Sequence, residues 1–419
     1  MAFLVLLSIV GVLLVLQYLM LYTARHCSSI PTVQPSYPIV GNLLSFWNNS
    51  SMEAFWMLVK SFRGVDRMAK MVLGPKVLIL INHPELLQKV LMNNEMLDKP
   101  FFYDFMGLGG GLVSERDGKR WLMERKVLNP TFNTRMLTSF LSIMDARASK
   151  MAANLRSVAD GHTEVDMIKF VGECTLEIVY NTTMGRNANE LPGQRDYMRN
   201  LNMEDGTEFT DREISDNLYT VMAGGHDTSA LTISYACMML GMYPEIQAKV
   251  VAEMNEVFYD SSVPITLDTL KQLEYTERVI KEVLRLFPPV PFAARQTRNE
   301  LVLDGVKIPP NQIVVINFYA YHRRKDFWGP DPERFDPDRF LPEASQGRHP
   351  YAYLPFSAGL RNCIGMRYAM NSMRIMLLRI LQEFEIGTSL KQADMRLKFE
   401  VMLKLVGPHN VWLKKREKC

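Results

Sequence analysis

Apolar and polar positions alternate with helical period along most of the chain. Residues 2–22 carry no charge, and a run near twenty residues is the length a helix needs to cross a bilayer. Amphipathic spacing then predicts a helix over Met52–Phe62, two short strands around a Gly-Pro turn in Met71–Ile81, and a helix over Pro84–Met92. A helix carrying Trp121 and Arg125 follows, then helices over Thr138–Asn154, Val165–Met184, Asp211–Met242, Pro244–Val257 and Leu270–Phe287. A last apolar helical run leads from Cys363 to about Leu381, and the alternation in Leu397–Lys415 reads as closing strands. The pattern predicts a mainly helical protein with a small β part.

The first apolar run reads as an anchor. A cleaved signal would open on basic residues and have a shorter apolar core. Arg25 and His26 lie after the run, so positive-inside logic places the bulk of the chain in the cytosol, with one anchor in the endoplasmic reticulum membrane. Sequons at Asn48, Asn49 and Asn181 would then face the wrong compartment and stay unmodified. Pro31, Pro35 and Pro38 give a stiff connector. The expected organisation is an anchor over 1–24, a proline-rich hinge over 25–45 and a catalytic domain over 46–419.

Composition narrows the function. At 419 residues and 47% hydrophobic content the chain can bury a large core, and its formal charge of +3 comes without a long basic run or a base-reading motif, which excludes nucleic acid as a partner. Five scattered cysteines without a Cys-x-x-Cys fit a reducing compartment, and Cys419 has no prenylation box. The glycine-rich Gly107–Gly111 lacks the Lys-Ser/Thr ending of a phosphate loop.

The candidate chemistry centres on Cys363, where a loop becomes a helix. A helix N-terminus lowers a cysteine pKa, and a soft thiolate is a good ligand for iron. Gly359 and Gly365 would let backbone approach a flat cofactor. A lone cysteine is more often simply buried. Here Phe356, Gly359, Arg361, Cys363 and Gly365 spell Phe-x-x-Gly-x-Arg-x-Cys-x-Gly, which resembles the haem-binding signature of the cytochrome P-450 superfamily.

That resemblance implies the superfamily's fold and haem b, with Cys363 as the thiolate ligand of the iron and Arg361 on a propionate. Trp121 and Arg125 resemble its Trp-x-x-x-Arg helix over the haem edge and would both donate to a propionate, and Arg295 matches a further propionate-binding arginine. Ala223-Gly224-Gly225-His226-Asp227-Thr228 resembles the segment crossing the oxygen side of the haem, where Asp227 and Thr228 would help deliver protons. Read alone, the Gly-Gly pair is equally a helix break capped by Asp227 or Thr228. Glu282-x-x-Arg285 with Arg339 resembles the family's buried structural triad, although such a pair is ordinarily a surface contact. His322 reads as a packing histidine rather than a metal ligand.

Gly-His-Asp-Thr places the nearest likeness in the fatty-acid ω-hydroxylase branch and its insect relatives. Many of those carry glutamate where this chain has Gly224, and that glutamate can bond to the haem; this chain cannot. The proline connector resembles the hinge of microsomal members. Where full-length members carry the helical roof of the substrate pocket, only Arg186–Thr210 intervenes, so most of that roof is missing. The implied activity is insertion of one atom of dioxygen into an apolar substrate (fatty acid, hormone or xenobiotic), with electrons from NADPH through a membrane-bound reductase and cytochrome b5 as a second possible partner. The alternatives are a haem-loaded but inactive scaffold or shortened isoform, and a peroxide-rearranging enzyme that needs no reductase.

Overall fold

A computed structural model describes residues 2–37, 40–47, 49–184, 209–260 and 262–417. The chain begins with α1, Ala2–His26. Its described apolar side chains, from Leu4 to Val15 and at Tyr18, are exposed. Among the described residues no helix is long and apolar enough to cross a membrane.

The proline segment is docked rather than free. Val33 N–H donates to Lys70 O (2.9 Å), Lys70 N–H to Pro31 O (2.8 Å) and Asn42 N–H to Val72 O (2.6 Å), so this stretch lies along β1, Met68–Leu73. Gly41 is required there: its φ is +62°, and a Cβ would lie 2.4 Å from Val72 O. Part of the expected hinge thus belongs to the folded body. Pro38 and Asn48 lie outside the described residues, while the Asn49 and Asn181 amides donate to Ser45 O (2.8 Å) and Glu177 O (2.6 Å).

Helix α2, Ser51–Ser61, starts on a capping box between Ser50 and Glu53. Strand β1 pairs antiparallel with β2, Lys76–Ile81, from Leu73↔Lys76 to Met68↔Ile81. Helix α3, Pro84–Leu91, follows. The sheet is completed by β7, Ile313–Asn317, parallel to β2, and β4, Phe292–Gln296, antiparallel to β7, in the order β1-β2-β7-β4. Smaller sheets join β3 (Val165–Asp166), β11 (Asn410–Lys415) and β8 (Phe384–Gly387), β5 (Leu301–Leu303) with β6 (Val306–Ile308), and β9 (Leu397–Glu400) with β10 (Met402–Leu405).

The helical body holds α4 (Gly118–Leu128), α5 (Thr134–Leu155), α6 (Met167–Met184), α7 (Asp211–Met242), α8 (Pro244–Val257), α9 (Leu267–Lys271) and α10 (Glu274–Leu286). Short helices α11 (Phe318–Tyr321), α12 (Lys325–Trp328) and α13 (Pro342–Ser345) lead to α14, Met366–Glu383. The largest core cluster unites α5, α6, α7, α8, α10 and α14, with Tyr235, Met238, Val283, Leu377 and Leu378 almost fully buried. Two expectations need correction. The predicted helix from Val165 begins as strand β3, and the one over Leu270–Phe287 is two helices. The Glu253 carboxylate of α8 accepts the N–H groups of Tyr275 (2.5 Å) and Thr276 (2.8 Å), starting α10 afresh.

Candidate haem-thiolate site

The loop before α14 is built around backbone contacts. Cys363 N–H donates to Phe356 O (2.9 Å), Asn362 N–H to Gly359 O (3.3 Å), and Leu360 N–H to Leu91 O at the end of α3 (3.3 Å). Gly359 has φ +71°, and a Cβ there would stand 2.0 Å from Leu91 O. Only glycine lets the loop cross α3 so closely. Gly365 differs: its Cβ would meet nothing nearer than Cys363 Sγ and the Phe132 ring, both at 4.0 Å. The protein alone does not require glycine at that position.

Cys363 has accessible surface although protein atoms crowd around it. Burial pushes the thiol above its ordinary pKa, while the Gly365 N–H and the Arg125 guanidinium pull it down. This reverses the expectation that the helix terminus favours a thiolate. α14 starts only at Met366, and desolvation outweighs the Gly365 N–H and the Arg125 charge. A metal ion deprotonates a coordinating thiol outright, so a raised pKa does not bar ligation.

Helix α4 starts where Asp117 accepts the Lys119 N–H (2.8 Å), and it brings Trp121 and Arg125 against the cysteine loop. Trp121 is buried, with the guanidinium of Arg361 4.5 Å and that of Arg125 5.9 Å from its ring. Arg125 donates through Nη1 to Asn362 O (2.8 Å), through Nη2 to Asn362 Oδ1 (3.0 Å) and through Nε to Asn129 Oδ1 (2.8 Å). Its fork therefore holds the loop that carries Cys363.

Arg361 is buried and donates through Nη2 to Glu115 O (2.9 Å), while its Nε and Nη1 are buried without a hydrogen-bond partner. Burial, and then repulsion from Arg295, lower its pKa to about 9. Arg295 is buried on β4, with Nη1 on Ala294 O (3.0 Å). Lys99 completes the cluster. Burial, then Arg361 and Arg295, hold its pKa well below the ordinary value, and its ammonium lies 4.3 Å from the centre of the Tyr103 ring. The sequence reading missed Lys99; a lone lysine before Pro100 and an aromatic run gives little signal. It also missed Asn362, hidden at a variable position of the motif.

The α7 segment is a continuous helix, with no break at the Gly-Gly pair. Thr228 Oγ1 donates to Gly224 O (2.6 Å), the back-bond of a helical threonine. A Cβ at Gly225 would come within 2.9 Å of Val179 on α6, whereas one at Gly224 would meet nothing within 4 Å. Neither Asp227 nor Thr228 hydrogen-bonds to the cluster around Cys363.

Beside the loop, Glu282 and Arg285 are fully buried and form a two-toothed pair at 2.7 and 2.8 Å. Arg339 Nε stands 3.5 Å from Glu282 Oε1, and Asp336 N–H donates to the same oxygen (2.9 Å). Arg285 also reaches the carbonyls of His322 (2.9 Å) and Pro332 (2.7 Å). His322 Nε2 accepts the Leu354 N–H (2.9 Å), and burial lowers its pKa to about 3, so it is a neutral packing residue. Among the described residues no group of His, Cys, Asp or Glu could hold a metal ion together.

The Cys363 thiol thus sits in a loop gripped by Arg125 and carrying the buried Arg361, on a mainly helical body. The family model described as Cytochrome P450 matches residues 31–200 and 192–411. The chain belongs to the cytochrome P450 family. It is 30% identical over 480 aligned positions to a mouse (Mus musculus) protein, Cytochrome P450 4V2, covering 93% of this chain and 90% of that one. The rat (Rattus norvegicus) protein of the same name is 30% identical over 495 positions, covering 96% and 92%. A cockroach (Blattella germanica) protein, Cytochrome P450 4c21, is 26% identical over 468 positions, covering 92% and 93%. These alignments exceed this chain's 419 residues, and the two family matches meet at 192–200, inside the shortened Arg186–Thr210 interval. Most of that interval lies outside the described residues.

The protein is therefore a monooxygenase that binds haem b through a cysteine thiolate, takes electrons from a redox partner and acts on a hydrophobic substrate. The residues present fit the group. Haem carries two carboxylates, and the buried guanidinium groups of Arg361 and Arg295 repel each other. The unpartnered Nε and Nη1 of Arg361 are donors of the kind an anion satisfies.

Proposed function

We propose that Cys363 is the axial ligand and that Arg361, Arg295, Trp121 and Arg125 receive the haem carboxylates, with Arg125 also holding the ligand loop through Asn362. The carrying observation is the pair of unpartnered, buried Arg361 nitrogens beside an accessible thiol. Phe356 supplies the carbonyl that fixes the Cys363 backbone, and Gly365 leaves room beside the sulfur. Glu282, Arg285 and Arg339 maintain the fold around this loop. Bound haem supplies the activation of dioxygen. The Asp227 carboxylate and the Thr228 hydroxyl, the latter anchored on Gly224 O, relay protons on the oxygen side.

The proposed reaction inserts one oxygen atom into an apolar substrate such as a fatty acid, with electrons from NADPH through a membrane-bound reductase and cytochrome b5 as a second donor. Lys119 and Arg367 are exposed and can meet an acidic partner. Arg120 contributes less, because it is already paired with Glu124 and Glu213. Residues 1–24 are proposed as an anchor in the endoplasmic reticulum membrane, with the catalytic domain on the cytosolic side. Supporting this, the run at 2–22 carries no charge and lies within the helix Ala2–His26.

The test is the carbon monoxide difference spectrum of the reduced protein, beside that of Cys363→Ala. A strongly red-shifted Soret band that the substitution abolishes supports the assignment. A spectrum indifferent to the substitution refutes it.

A further inference from the structure

We propose that His226 is a positioning residue: it links Thr175 on α6 to the Asp227 carboxylate on α7 and keeps that carboxylate in place in both protonation states of the ring. The proposal rests on the reading of Asp227 and Thr228 as the proton-delivering pair.

Gly172, Thr175 and Val179 recur at helical spacing, so they share one face of α6. That face meets α7 at close range. A Cβ on Gly172 would lie 3.6 Å from His226 Cε1, and one on Gly225 would lie 2.9 Å from Val179. The His226 ring is thus pressed against a glycine, with its two nitrogens turned to different partners. Nδ1 is 2.9 Å from Thr175 Oγ1, and Nε2 is 3.3 Å from Asp227 Oδ1. The Asp227 side chain is 53% exposed, and an exposed carboxylate on a helix otherwise samples several rotamers.

Thr175 makes the arrangement tolerant of protonation. Its hydroxyl has a second acceptor, Gly172 O at 3.0 Å. When the ring is neutral, the Thr175 hydroxyl donates to Nδ1 and the ring hydrogen sits on Nε2. When the ring is protonated, Nδ1–H donates to Thr175 Oγ1, whose hydrogen turns to Gly172 O. Both states leave a hydrogen on Nε2, on the Asp227 side. The carboxylate against the ring is Asp227, at 3.3 Å, while Glu177 on α6 is engaged by Lys150 (2.5 Å) and Arg147 (3.5 Å).

The consequence concerns how reducing equivalents are spent. Two electrons, two protons and one dioxygen yield either oxygenated product and water, or hydrogen peroxide when the oxygen–oxygen bond is not cleaved. Misplacing a reacting group by about 1 Å can cost on the order of 100-fold. A freed Asp227 should therefore move the ratio of peroxide to product upward by roughly tenfold, within that limit.

The decisive measurement is nitrogen-15 histidine NMR of the full haem-loaded chain, reduced and bound to carbon monoxide. Neutral His226 is expected as a single Nε2–H tautomer, giving way to a mixture in Thr175→Val and in Asp227→Ala. A ring indifferent to both substitutions overturns the proposal, whether or not the protein turns over. With NADPH, reductase and dodecanoic acid as probe substrate, His226→Leu should raise the peroxide ratio and His226→Gln should restore most of the coupling. If Asp227→Ala raises peroxide and His226→Leu does not, the positioning role is wrong. If Asp227→Ala leaves the ratio unchanged, the proton-delivery reading itself fails.

Discussion

Arg125 grips Asn362 with both ends of its guanidinium, at 2.8 Å to the backbone carbonyl and 3.0 Å to the side-chain oxygen. Asn362 immediately precedes Cys363, so helix α4 fixes the direction of the proposed ligand through its neighbour. Arg125→Leu should lose charge-assisted bonds worth about 1.5–3 kcal/mol and release haem faster. Arg125→Lys should not rescue it, because an ammonium cannot make the forked contact. Haem transfer to an apoglobin acceptor measures the rate, and a lysine variant as retentive as the parent would contradict this account.

The Glu282–Arg285 pair calls for a different test. Both residues are fully buried, and Glu282 also accepts the Asp336 N–H at 2.9 Å. Glu282→Ala strands a buried cation, a change that costs about 3–5 kcal/mol. Denaturant unfolding of the haem-free protein should show this loss in full, since the pair serves the fold and not the chemistry. A loss seen only in the haem-loaded protein would place the pair in the site instead.

Much of this architecture was legible in the sequence. The bounds of α7 and α8 agree with the residues expected, because long apolar helices with proline or capping residues at their starts carry their own punctuation. The break before α10 was not legible, because the group that starts it, Glu253, sits on another helix. The cysteine loop declared itself through five fixed positions. Its electrostatics did not: the dipole argument is local, whereas burial is tertiary and reversed the sign for Cys363. Lys99 joins Arg295 and Arg361 only after β4 and the cysteine loop have come together, so no spacing rule could reveal it.

Glu124 gives the fold a pH dependence of defined sign. It is buried on α4, with Asn217 Nδ2 at 3.4 Å and Arg120 Nε at 3.2 Å, and burial raises its pKa from 4.5 to about 7. The folded state therefore holds a proton that the unfolded chain releases near pH 4.5. The stabilising contribution is complete below that pH and is lost as pH rises to about 7, with a total on the order of 3 kcal/mol. Glu124→Gln should flatten this part of the stability profile and leave the variant more stable than the parent above pH 7. Unfolding midpoints across that range decide it, and parallel profiles for the two proteins would refute the assignment.

The two glycines of the cysteine loop should respond differently to a single added methyl group. At Gly359 the φ of +71° and the Leu91 carbonyl, 2.0 Å from an added Cβ, both oppose alanine. Gly359→Ala should therefore destabilise the haem-free protein by more than 1 kcal/mol, because either α3 or the loop must move. At Gly365 the nearest atoms to an added Cβ are Cys363 Sγ and the Phe132 ring, both at an ordinary 4.0 Å. Gly365→Ala should leave haem-free stability within about 0.5 kcal/mol of the parent. The added methyl would nevertheless stand beside the sulfur, where the haem must approach. Weaker haem binding or a displaced Soret band in Gly365→Ala, with unfolding unchanged, would show that this glycine serves the cofactor and Gly359 the chain. Equal haem binding in Gly365→Ala and the parent would remove Gly365 from the site.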